Sequence, residues 1–542
     1  MKYTTQPDFQ DTKKDKPKLN ATDALNYSAS LVENFGRTEL SNGKTLAEIL
    51  TVEGISFWDV FSAEFAHSHI PTLLASEALP ETIIQRIRPD LIRLKYTVKD
   101  LICNRRNTYG CSTWPTGQTF LCLGFTNQMY RDVLHPVVAR LVLREDCYVV
   151  VLSDQYLPGM KPFFSENCKY QTLWQHWNEQ VRKQVSELQK SIYHIEADIQ
   201  LSSFLSRIIP DVDRRLATNF KNLFDRFFRA YLPHIIPHVA VARHILENHR
   251  PAMIITSDTA DPRTRVYALL CRLMNIPCMD VQFGLAGDEG VEWRFLAADR
   301  VAVWGDTSKE SMLKQKVSEE RIIVTGSPRH DCLVNSSKAE IRLKRAMLRI
   351  PEKSALVVMA STYHFKVHDK YSNPELLRSM KRAVFEAADK TEGICLVVKP
   401  HPVENVRETR ALLGKFRNVI FVERQSDIRE LIRVCDAFIS FGSTATIDAL
   451  IAGKLTICPI FPSWVFSDTF RRSGATLVPE SSEEIINIFK MIASGSDVNT
   501  KARLESARQD FLKHYVYQTD GMAAARVEAL ALKMVDMNRE HG

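Results

Sequence analysis

The sequence lacks the features of secreted and membrane-spanning chains. No apolar segment follows the charged N-terminus as it would in a signal peptide, and no uninterrupted apolar run reaches the roughly 18 residues that indicate a membrane span. The most apolar stretch, residues 230–246, is interrupted by Pro233, His234, Pro237 and Arg243, so we expect a kinked amphipathic helix there. These absences predict a cytoplasmic protein.

Paired cysteines are also missing. The 11 cysteines include no Cys-x-x-Cys pair, and several, such as Cys122, Cys395 and Cys458, lie inside apolar runs of strand length. A disulfide framework or a zinc ribbon would need a different spacing. We therefore expect free, buried thiols in a reducing compartment.

Basic runs interleaved with aromatic residues, which nucleic-acid-binding proteins often carry, do not occur either. The net charge of +7 is small for 542 residues, and it fits anionic substrates or a loose attraction to an acidic membrane surface. With 45% hydrophobic and 25% charged residues, the chain resembles an ordinary soluble protein that is too long for one core. Two or three domains are expected, and nucleic acid is not a predicted partner.

Two segments indicate a ligand site. Residues 394–402 and 437–446 are each an apolar run that stops abruptly at polar residues and is followed by a helical pattern. In an open α/β sheet, ligands lie outside the carboxyl ends of the strands. Lys399 and His401 after one strand, with hydroxyl groups and backbone N–H groups after the other, suit a phosphate or diphosphate.

A purely structural interpretation of the two segments stays open. Pro400 and Pro402 would then only end a strand, and Ser443 or Thr444 would only cap a helix. Taken singly, either segment fits this interpretation equally well. Together they favour a binding site.

The first half of the chain predicts an α/β domain preceded by helices. Residues 1–20 are polar and lysine-rich and predict a disordered arm, and residues 21–110 have mostly helical periodicity. Residues 111–298 alternate strands and helices, which predicts a Rossmann-like domain with a parallel sheet. Residues 172–248 exceed a simple crossover and predict a helical insertion, whose aromatic stripe fits a core or, as the alternative, a docking face for an acceptor.

Carboxylates at strand ends of this half are candidates for a general base. Asp258 directly follows an apolar strand, and Asp288 with Glu289 lies in a glycine-rich loop after the next strand. A carboxylate at such a position can accept a proton from an acceptor hydroxyl. The alternative is that Asp258 caps a helix and that the loop acids are only solvated.

The second half predicts another complete domain. Short strands and helices alternate through residues 299–518, which indicates a second doubly wound sheet. Residues 519–542 predict a C-terminal helix that packs back on the first domain. The fold class is therefore α/β, with two tandem Rossmann-like domains, a helical N-terminal region and a helical insertion.

No pattern predicts a metal cofactor. His67 and His69 have no third ligand of suitable spacing, and no Glu follows His364 before His368 as it would in a zinc protease helix. The one Asp-x-Asp sequence, residues 211–213, falls in the helical insertion rather than at a strand end. We therefore expect no metal and no other cofactor beyond the substrate itself.

Several motifs together resemble those of a known class of enzymes. The motifs occupy residues 325–331, 399–402, 440–446, 448–454 and 520–526. From about residue 252 to the C-terminus, the chain is similar to bacterial GT-B glycosyltransferases of surface polysaccharide synthesis. Within that fold it resembles the capsule-type Kdo and sialic acid transferases and the CDP-glycerol glycerophosphotransferases of teichoic acid synthesis.

This resemblance implies roles for individual residues. In the Kdo and sialic acid transferases a His-Pro motif and a serine- and threonine-rich turn bind the nucleotide phosphate, and the Gly-x-Pro-Arg-x-Asp pattern of the teichoic acid enzymes matches residues 326–331. With Lys399 and the neighbouring strand end, the predicted donor-binding set is Gly326, Ser327, Arg329, Ser361, Thr362, Lys399, His401, Pro402, Gly442, Ser443 and Thr444.

The implied activity is transfer of a sugar from a nucleotide-activated donor, a CMP- or UDP-sugar. The acceptor would be a cell-surface glycan, a lipid-linked molecule or a protein, which allows peripheral contact with the inner membrane. One departure from the teichoic acid enzymes is Phe283, which occupies the position of the histidine in their Gln-x-His-Gly-like motif. The alternatives are a CDP-alditol phosphotransferase, an isomerase like the UDP-sugar 2-epimerases and a non-catalytic nucleotide-binding scaffold.

Overall fold

The computed structural model describes residues 21–40, 43–75, 114–115, 118–154, 166–199, 204–205, 214–285, 290–334, 337–363, 374–402, 404–413, 416, 418–460 and 468–541. The predicted disordered arm, His364, His368 and residues 211–213 therefore lie outside the described residues. Within the described ranges, the chain folds into two parallel sheets covered by helices, together with one small antiparallel hairpin of β1 (Thr51–Val52) and β2 (Ile55–Ser56). The predicted α/β class is confirmed.

The first sheet has seven parallel strands in the order β5-β4-β3-β6-β7-β8-β9. The strands are β3 (Gln118–Leu123), β4 (Cys147–Ser153), β5 (Cys168–Thr172), β6 (Met253–Thr256), β7 (Cys278–Val281), β8 (Arg300–Val303) and β9 (Ile322–Val324). Their central members are continuous apolar runs because both faces of the sheet are covered by helices. The strand order reverses between β3 and β6, which places a ligand crevice beyond the carboxyl ends of these two strands.

The predicted domain boundary at residue 299 is wrong. β8 pairs with β7 through Met279 and Arg300, and β9 pairs with β8 through Val301 and Ile322. Both strands therefore extend the first sheet instead of opening the second. The change of domain comes after β9. The sequence does not reveal this position, because strands and helices alternate in the same way on either side of it.

The helices associated with the first half precede and follow these strands. They are α1 (Ala21–Arg37), α2 (Leu46–Ile49), α3 (Phe57–Glu64), α4 (Ile70–Ala75), α5 (Asn127–Met129), α6 (His135–Leu141), α7 (Glu179–Asp198), α8 (Arg214–Arg226), α9 (Leu232–His249), α10 (Pro262–Met274) and α11 (Asp306–Lys314). In the part of the chain that the structure describes, π-helical turns at Phe65–His69, Tyr130–Leu134 and Phe227–Tyr231 join consecutive helices into longer segments.

The aromatic stripe of the helical insertion belongs to the core. Phe224 and Phe227 are almost fully buried, and the Phe224 ring stacks on Trp58 with centroids 6.0 Å apart. Phe35 of α1 lies 5.3 Å from Phe220 of the insertion. The helical N-terminal region and the insertion therefore share one apolar core over one face of the first sheet. The interpretation of the stripe as core is confirmed.

The second sheet has five parallel strands in the order β12-β11-β10-β13-β14. The strands are β10 (Ala355–Ala360), β11 (Ile394–Lys399), β12 (Val419–Phe421), β13 (Ala437–Ser440) and β14 (Leu455–Ile457). The helices that follow α11 are α12 (Lys338–Met347), α13 (Pro374–Lys390), α14 (Val406–Leu413), α15 (Ile428–Val434), α16 (Ala445–Ile451), α17 (Asp468–Ser473), α18 (Ser482–Ala493), α19 (Val498–Tyr515) and α20 (Ala523–His541). The strand order reverses between β10 and β13.

The C-terminal helix α20 returns to the first half of the molecule. Its apolar residues Ala524, Val527 and Ala531 pack with the second face of the first sheet, and Glu528 forms an ion pair with Arg140 at 2.6 Å. The chain thus passes between the two halves twice, once after β9 and once after α19. The segment after α19 lies along the first half, where the N–H of Tyr517 donates to the Trp304 carbonyl at 2.7 Å.

No helix within the described ranges combines the length and the apolar character needed to cross a lipid bilayer.

Candidate functional site

The reversal point of the second sheet brings the two predicted segments together. Ala360 at the end of β10 is paired with Lys399 on one side and with Ser440 on the other. The residues that follow these three strand ends therefore emerge side by side. The N–H of Ser361 donates to the Lys399 carbonyl at 2.9 Å, which continues the ladder by one residue.

Lys399 is held in a partly desolvated position. Only 9% of the residue is exposed, and burial lowers its pKa to about 8, aided by the positive charge of Arg131. Asp427 and Asp132 act in the opposite direction. An ammonium group with little water around it gains more from an incoming anion than an exposed lysine would. Arg131 comes from the first half of the chain, so residues of both halves flank this lysine.

His401 follows two residues after Lys399. Its ring lies 4.7 Å from the ring of Tyr363, and burial together with the Lys399 charge lowers its pKa to about 4. The imidazole is therefore neutral at physiological pH, and it can both donate and accept a hydrogen bond. Pro402 follows it in the same turn.

A buried carboxylate, Glu404, organises this turn. Its Oε2 accepts a hydrogen bond from the His401 N–H at 2.9 Å, and its Oε1 accepts from the Ser361 hydroxyl at 2.7 Å. Lys381 of α13 places its Nζ 2.6 Å from Oε1, and Thr409 also donates to this oxygen. Ser361 thus supports the turn through Glu404, and Lys381 donates to the carbonyl of Thr362 at 2.5 Å. Sequence reasoning missed Glu404 and Lys381, although Glu404 lies only two residues after the His-Pro pair.

The turn after β13 presents unpaired groups at the same edge. Gly442 has φ of +93°, a backbone conformation that residues with side chains rarely adopt. The hydroxyl of Ser443 is buried without a hydrogen-bond partner among the described residues, and Thr444 at the start of α16 makes no side-chain capping bond. The capping interpretation of Ser443 and Thr444 is therefore not what the geometry shows. Both hydroxyls stay available at the end of the strand.

The segment of residues 325–331 contacts the C-terminal helix α20. A Cβ at Gly326 would lie 3.2 Å from Ala523 of α20, and Asp331 accepts the N–H groups of Ala523 and Ala524 at 3.0 and 2.8 Å. Ser327 is buried. Gly326 and Asp331 thus contact the start of the C-terminal helix, whereas the Ser327 hydroxyl has no hydrogen-bond partner among the described residues, and donor binding by Gly326 and Ser327 stays a prediction.

Arg329 is likewise occupied within the protein. Its Nε donates to Asp448 at 3.0 Å, and its Nη1 donates to Asp132 at 2.8 Å. The residue is 4% exposed. The prediction that Arg329 binds the donor directly is wrong in this geometry, because both faces of its guanidinium fork are bound to carboxylates.

Arg329 belongs to a buried group of charges that joins the two halves, which we call the interdomain charge cluster. Its six members are Arg131, Asp132, Arg329, Asp427, Arg429 and Asp448. Asp132 lies on the π-helical turn after α5. Its carboxylate oxygens are 2.8 Å from a guanidinium nitrogen of each of Arg131, Arg329 and Arg429. Three arginines and three aspartates balance one another. The neighbouring His330 adds no charge, because burial lowers its pKa to about 4.

Asp258 lies at the reversal point of the first sheet. Its Oδ1 accepts the N–H groups of Ala260 and Asp261 at 3.2 and 3.1 Å, whereas its Oδ2 accepts no hydrogen bond from the described residues. Burial raises its pKa to about 7, with a further contribution from Asp261. Asp280 on β7 is fully buried, and burial together with Asp258 raises its pKa to about 8. Asp258 is therefore fixed by one oxygen and has the other available.

The other two predicted catalytic residues, Asp288 and Glu289, lie outside the described residues. A strand-end group that sequence reasoning missed is Asp154, directly after β4. Its Oδ1 lies 3.5 Å from Nε2 of His238 in α9, and its Oδ2 forms an ion pair with Arg263. The Arg263 guanidinium in turn lies 5.0 Å from the ring centre of Phe125. The position of Asp154 one residue after an apolar strand was the available signal. Arg263 binds Oδ2 of Asp154, whereas Oδ1 is buried without a hydrogen-bond partner among the described residues.

Among the described residues, no group of three or more His, Cys, Asp or Glu side chains is placed to hold a metal ion. His67 instead contacts Glu292 at 3.3 Å, and His69 contacts Glu64 at 3.4 Å.

Two doubly wound parallel sheets with strand-end crevices, closed by a C-terminal helix that returns to the first sheet, define a GT-B-like architecture. The model of the CDP-Glycerol:Poly(glycerophosphate) glycerophosphotransferase family matches residues 303–454. This stretch contains the Lys399 and His401 turn and the turn after β13. The predicted resemblance to GT-B-like enzymes of bacterial surface polysaccharide synthesis is confirmed.

Several solved structures are similar to the chain at low sequence identity. The wall teichoic acid polymerase TagF is 13% identical, with a TM-score of 0.50 over 84% of this chain and 99% of that chain. The UDP-GlcNAc 2-epimerase of Neisseria meningitidis bound to UDP-GlcNAc is 16% identical, with a TM-score of 0.44 over 73% of this chain and 98% of that chain.

The HepE protein of Anabaena in complex with UDP and glucose is 14% identical, with a TM-score of 0.45 over 77% of this chain and 99% of that chain. No curated protein sequence matches the chain. The family match over residues 303–454 supports a transferase.

Proposed function

We propose that this protein is a glycosyltransferase that moves a sugar from a nucleotide-activated donor, a CMP- or UDP-sugar, to a glycan, lipid-linked or protein acceptor of the cell surface. The observation that carries the proposal is the convergence of Lys399, His401 and the residue 442–444 turn at the reversal point of the second sheet. The reaction would take place between this edge and the crevice of the first sheet, where Asp258 lies.

The phosphate of a CMP-sugar or the diphosphate of a UDP-sugar fits the strand ends of the second sheet. Sugar transfer requires stabilisation of the charge that develops on the leaving phosphate, and preorganised donors in a dry site provide it most effectively. Lys399 supplies a positive charge, and His401 supplies a neutral ring N–H. The unpartnered Ser443 hydroxyl and the glycine before it allow a phosphate to approach the backbone closely. With these groups, we expect no metal ion to be required.

Asp258 suits the general base. A base of this kind must be held firmly, must have a free oxygen, and works best with a pKa near the working pH. The two backbone N–H groups on Oδ1 hold the carboxylate, Oδ2 is available, and burial brings the pKa to about 7. Asp288 and Glu289 stay predictions for the same role.

Transfer of glycerophosphate from CDP-glycerol is the second candidate. The family match over residues 303–454 favours it. Against it stands Phe283, which occupies the position of the motif histidine and whose ring centre lies 6.0 Å from the buried Arg329 guanidinium. A phenylalanine cannot exchange protons, so this reaction would need a base from elsewhere, such as Asp258.

Nucleotide binding tests the donor site directly. A ligand at about a hundred times its dissociation constant should stabilise the folded protein by roughly 2.7 kcal/mol. We expect one of CMP, CDP, UDP, GDP and dTDP to raise the melting temperature of the wild type, and His401→Ala to lose this shift while its own melting temperature is unchanged. The exposed His514 on α19 offers a matched control, since His514→Ala should keep the shift. A panel without any shift at millimolar nucleotide would contradict the proposal.

Turnover separates the two candidate reactions. Purified protein with CDP-glycerol or with CMP- and UDP-sugars should release nucleotide from one donor class in the presence of acceptor. We expect Asp258→Asn to lower kcat by about 10²- to 10⁴-fold, the usual contribution of a general base, while the nucleotide-induced shift is retained. The exposed Asp146→Asn serves as control. If nucleotide is released from CDP-glycerol and from none of the sugar donors, the reaction is glycerophosphate transfer and the proposal of sugar transfer is wrong.

A further inference from the structure

A second concave region lies at the opposite edge of the first sheet from Asp258. It is a cavity of about 570 Å³ between the amino ends of β7, β8 and β9, the end of α10 and the last turns of α20. Because the strands are parallel, their amino ends and carboxyl ends lie at opposite edges of the sheet. The cavity is therefore separate from the proposed donor and acceptor crevices.

Three arginines line this cavity in the described part of the chain, and the charges of Glu320 and Asp299 act on two of them, Arg300 and Arg321, at longer range than an ion pair. Arg272, Arg300 and Arg321 form no ion pair within the described part of the chain, and Asp299 is the one acidic residue among the lining side chains. Asp299 is already engaged, since its Oδ2 accepts the Cys278 N–H at 2.9 Å. Burial and the Arg272 charge both lower the pKa of Arg321, as expected where like charges are brought together.

Backbone carbonyls hold the three guanidinium groups in place. One nitrogen of Arg272 donates to Ala297 at 2.9 Å, and one nitrogen of Arg321 donates to Leu296 at 2.9 Å. Arg300 donates to the carbonyl of Glu320. Each guanidinium keeps further N–H groups for a ligand, and Arg272 is exposed whereas Arg300 and Arg321 are half-buried.

The positive region continues beyond the cavity. An adjoining cavity of about 130 Å³ shares Asn275, Ile276 and Asn538 with the first and adds Arg250 and Arg539. We call the two cavities together the basic cleft. An apolar side chain, Met537, is 43% exposed at its rim.

We propose that the basic cleft binds a small phosphate-bearing anion at a site distinct from the donor site. Planar guanidinium groups match phosphate oxygens bidentately, which makes arginine the usual residue for such recognition. The volume falls within the usual range of about 300–1,000 Å³ for small-ligand pockets. Anchored arginines in a concave pocket fit a small molecule better than they fit the flat surface of a bilayer. This proposal does not depend on the proposed transferase activity.

Inorganic pyrophosphate is a suitable probe once the donor site has been disabled. In Lys399→Ala/His401→Ala protein at low salt, calorimetric titration should still show one pyrophosphate site. Adding Arg272→Gln and Arg300→Gln should weaken that site by at least about tenfold, because two charge-assisted contacts are removed. The exposed Arg382 and Arg503 provide a charge-matched control, and their replacement by glutamine should leave the affinity unchanged.

Two results would overturn the proposal. One is the absence of pyrophosphate binding in the Lys399→Ala/His401→Ala protein. The other is pyrophosphate binding of unchanged affinity after Arg272 and Arg300 are also replaced, in a variant whose circular dichroism spectrum is native. Sedimentation with phosphatidylglycerol and phosphatidylcholine vesicles distinguishes the source of the phosphate. Arginine-dependent binding to the anionic vesicles without pyrophosphate binding would assign the cleft to a lipid surface instead of a small ligand.

Discussion

Replacement of Asp132 by asparagine should destabilise the whole molecule, because this carboxylate is the centre of the interdomain charge cluster. Asp132 has no exposed side-chain surface, and Arg131, Arg329 and Arg429 each approach it at 2.8 Å. Asparagine keeps the size of the side chain and removes its charge. Its amide group also places a donor where an arginine donor already points.

The expected loss follows from the charge balance. The cluster changes from three positive and three negative groups to an excess of one positive charge. Arg329 and Arg429 are 5% and 8% exposed at their side chains, so water cannot replace the missing partner. Breaking a buried ion pair from one side costs about 3–5 kcal/mol. We expect a loss of this size in the free energy of unfolding.

Urea unfolding followed by tryptophan fluorescence measures this loss. Trp304 is buried beside His330 near the cluster, with ring centres 4.6 Å apart, and should report its disruption. The matched control is Asp146→Asn, whose side chain is 57% exposed and pairs with the 40% exposed Arg144, so that solvent screens the pair and its loss should cost far less. If Asp132→Asn costs no more than this control, the cluster does not hold the two halves together and the reasoning is wrong.

Three further predictions concern individual contacts. The affinity for the donor should be highest below pH 8, where Lys399 is protonated, and should fall by up to about tenfold per pH unit above it, because bound phosphate raises the pKa of Lys399 from about 8. Binding titrations across this pH range should show no such decline for Lys399→Arg, and an equal decline would contradict the role of Lys399. Asp331→Ala should cost about 0.5–2 kcal/mol by uncapping α20, seen as faster hydrogen exchange confined to residues 523–541, and unchanged exchange there would contradict the capping role. Glu404→Gln leaves Lys381 buried without its counterion, so we expect about 3–5 kcal/mol of destabilisation and a smaller nucleotide shift; a variant as stable as the wild type would refute the role of Glu404.

The two parallel sheets could be predicted because their strands carry a local signal. Runs such as residues 394–398 are apolar throughout, which indicates strands buried on both faces, and the helices between them keep a period near 3.6. Sheet membership carries no such signal. β8 and β9 join the first sheet through pairings with β7 and with each other, and these pairings depend on packing between distant segments.

The residues of the candidate site show the same difference between local and long-range signals. Lys399, His401 and Ser443 could be found because the first two stand at the end of β11 and the third follows β13, and the strand-end rule then places them together. The role of Arg329 could not be found, since its partners Asp448 and Asp132 lie 119 and 197 residues away in the sequence. A motif shows which residues occur together along the chain, but it does not show which charges neutralise them in the folded protein.

The two passages of the chain between its halves have a mechanical consequence. They lie side by side, because the Nε of Arg526 in α20 donates to the Thr325 carbonyl after β9 at 2.6 Å. Two adjacent covalent links resist torsion about either one, whereas both can bend together. A proteolytic cut after α19 would leave the halves joined covalently through the segment after β9, whereas a cut after β9 would leave them held together only by the non-covalent packing of α20 on the first sheet.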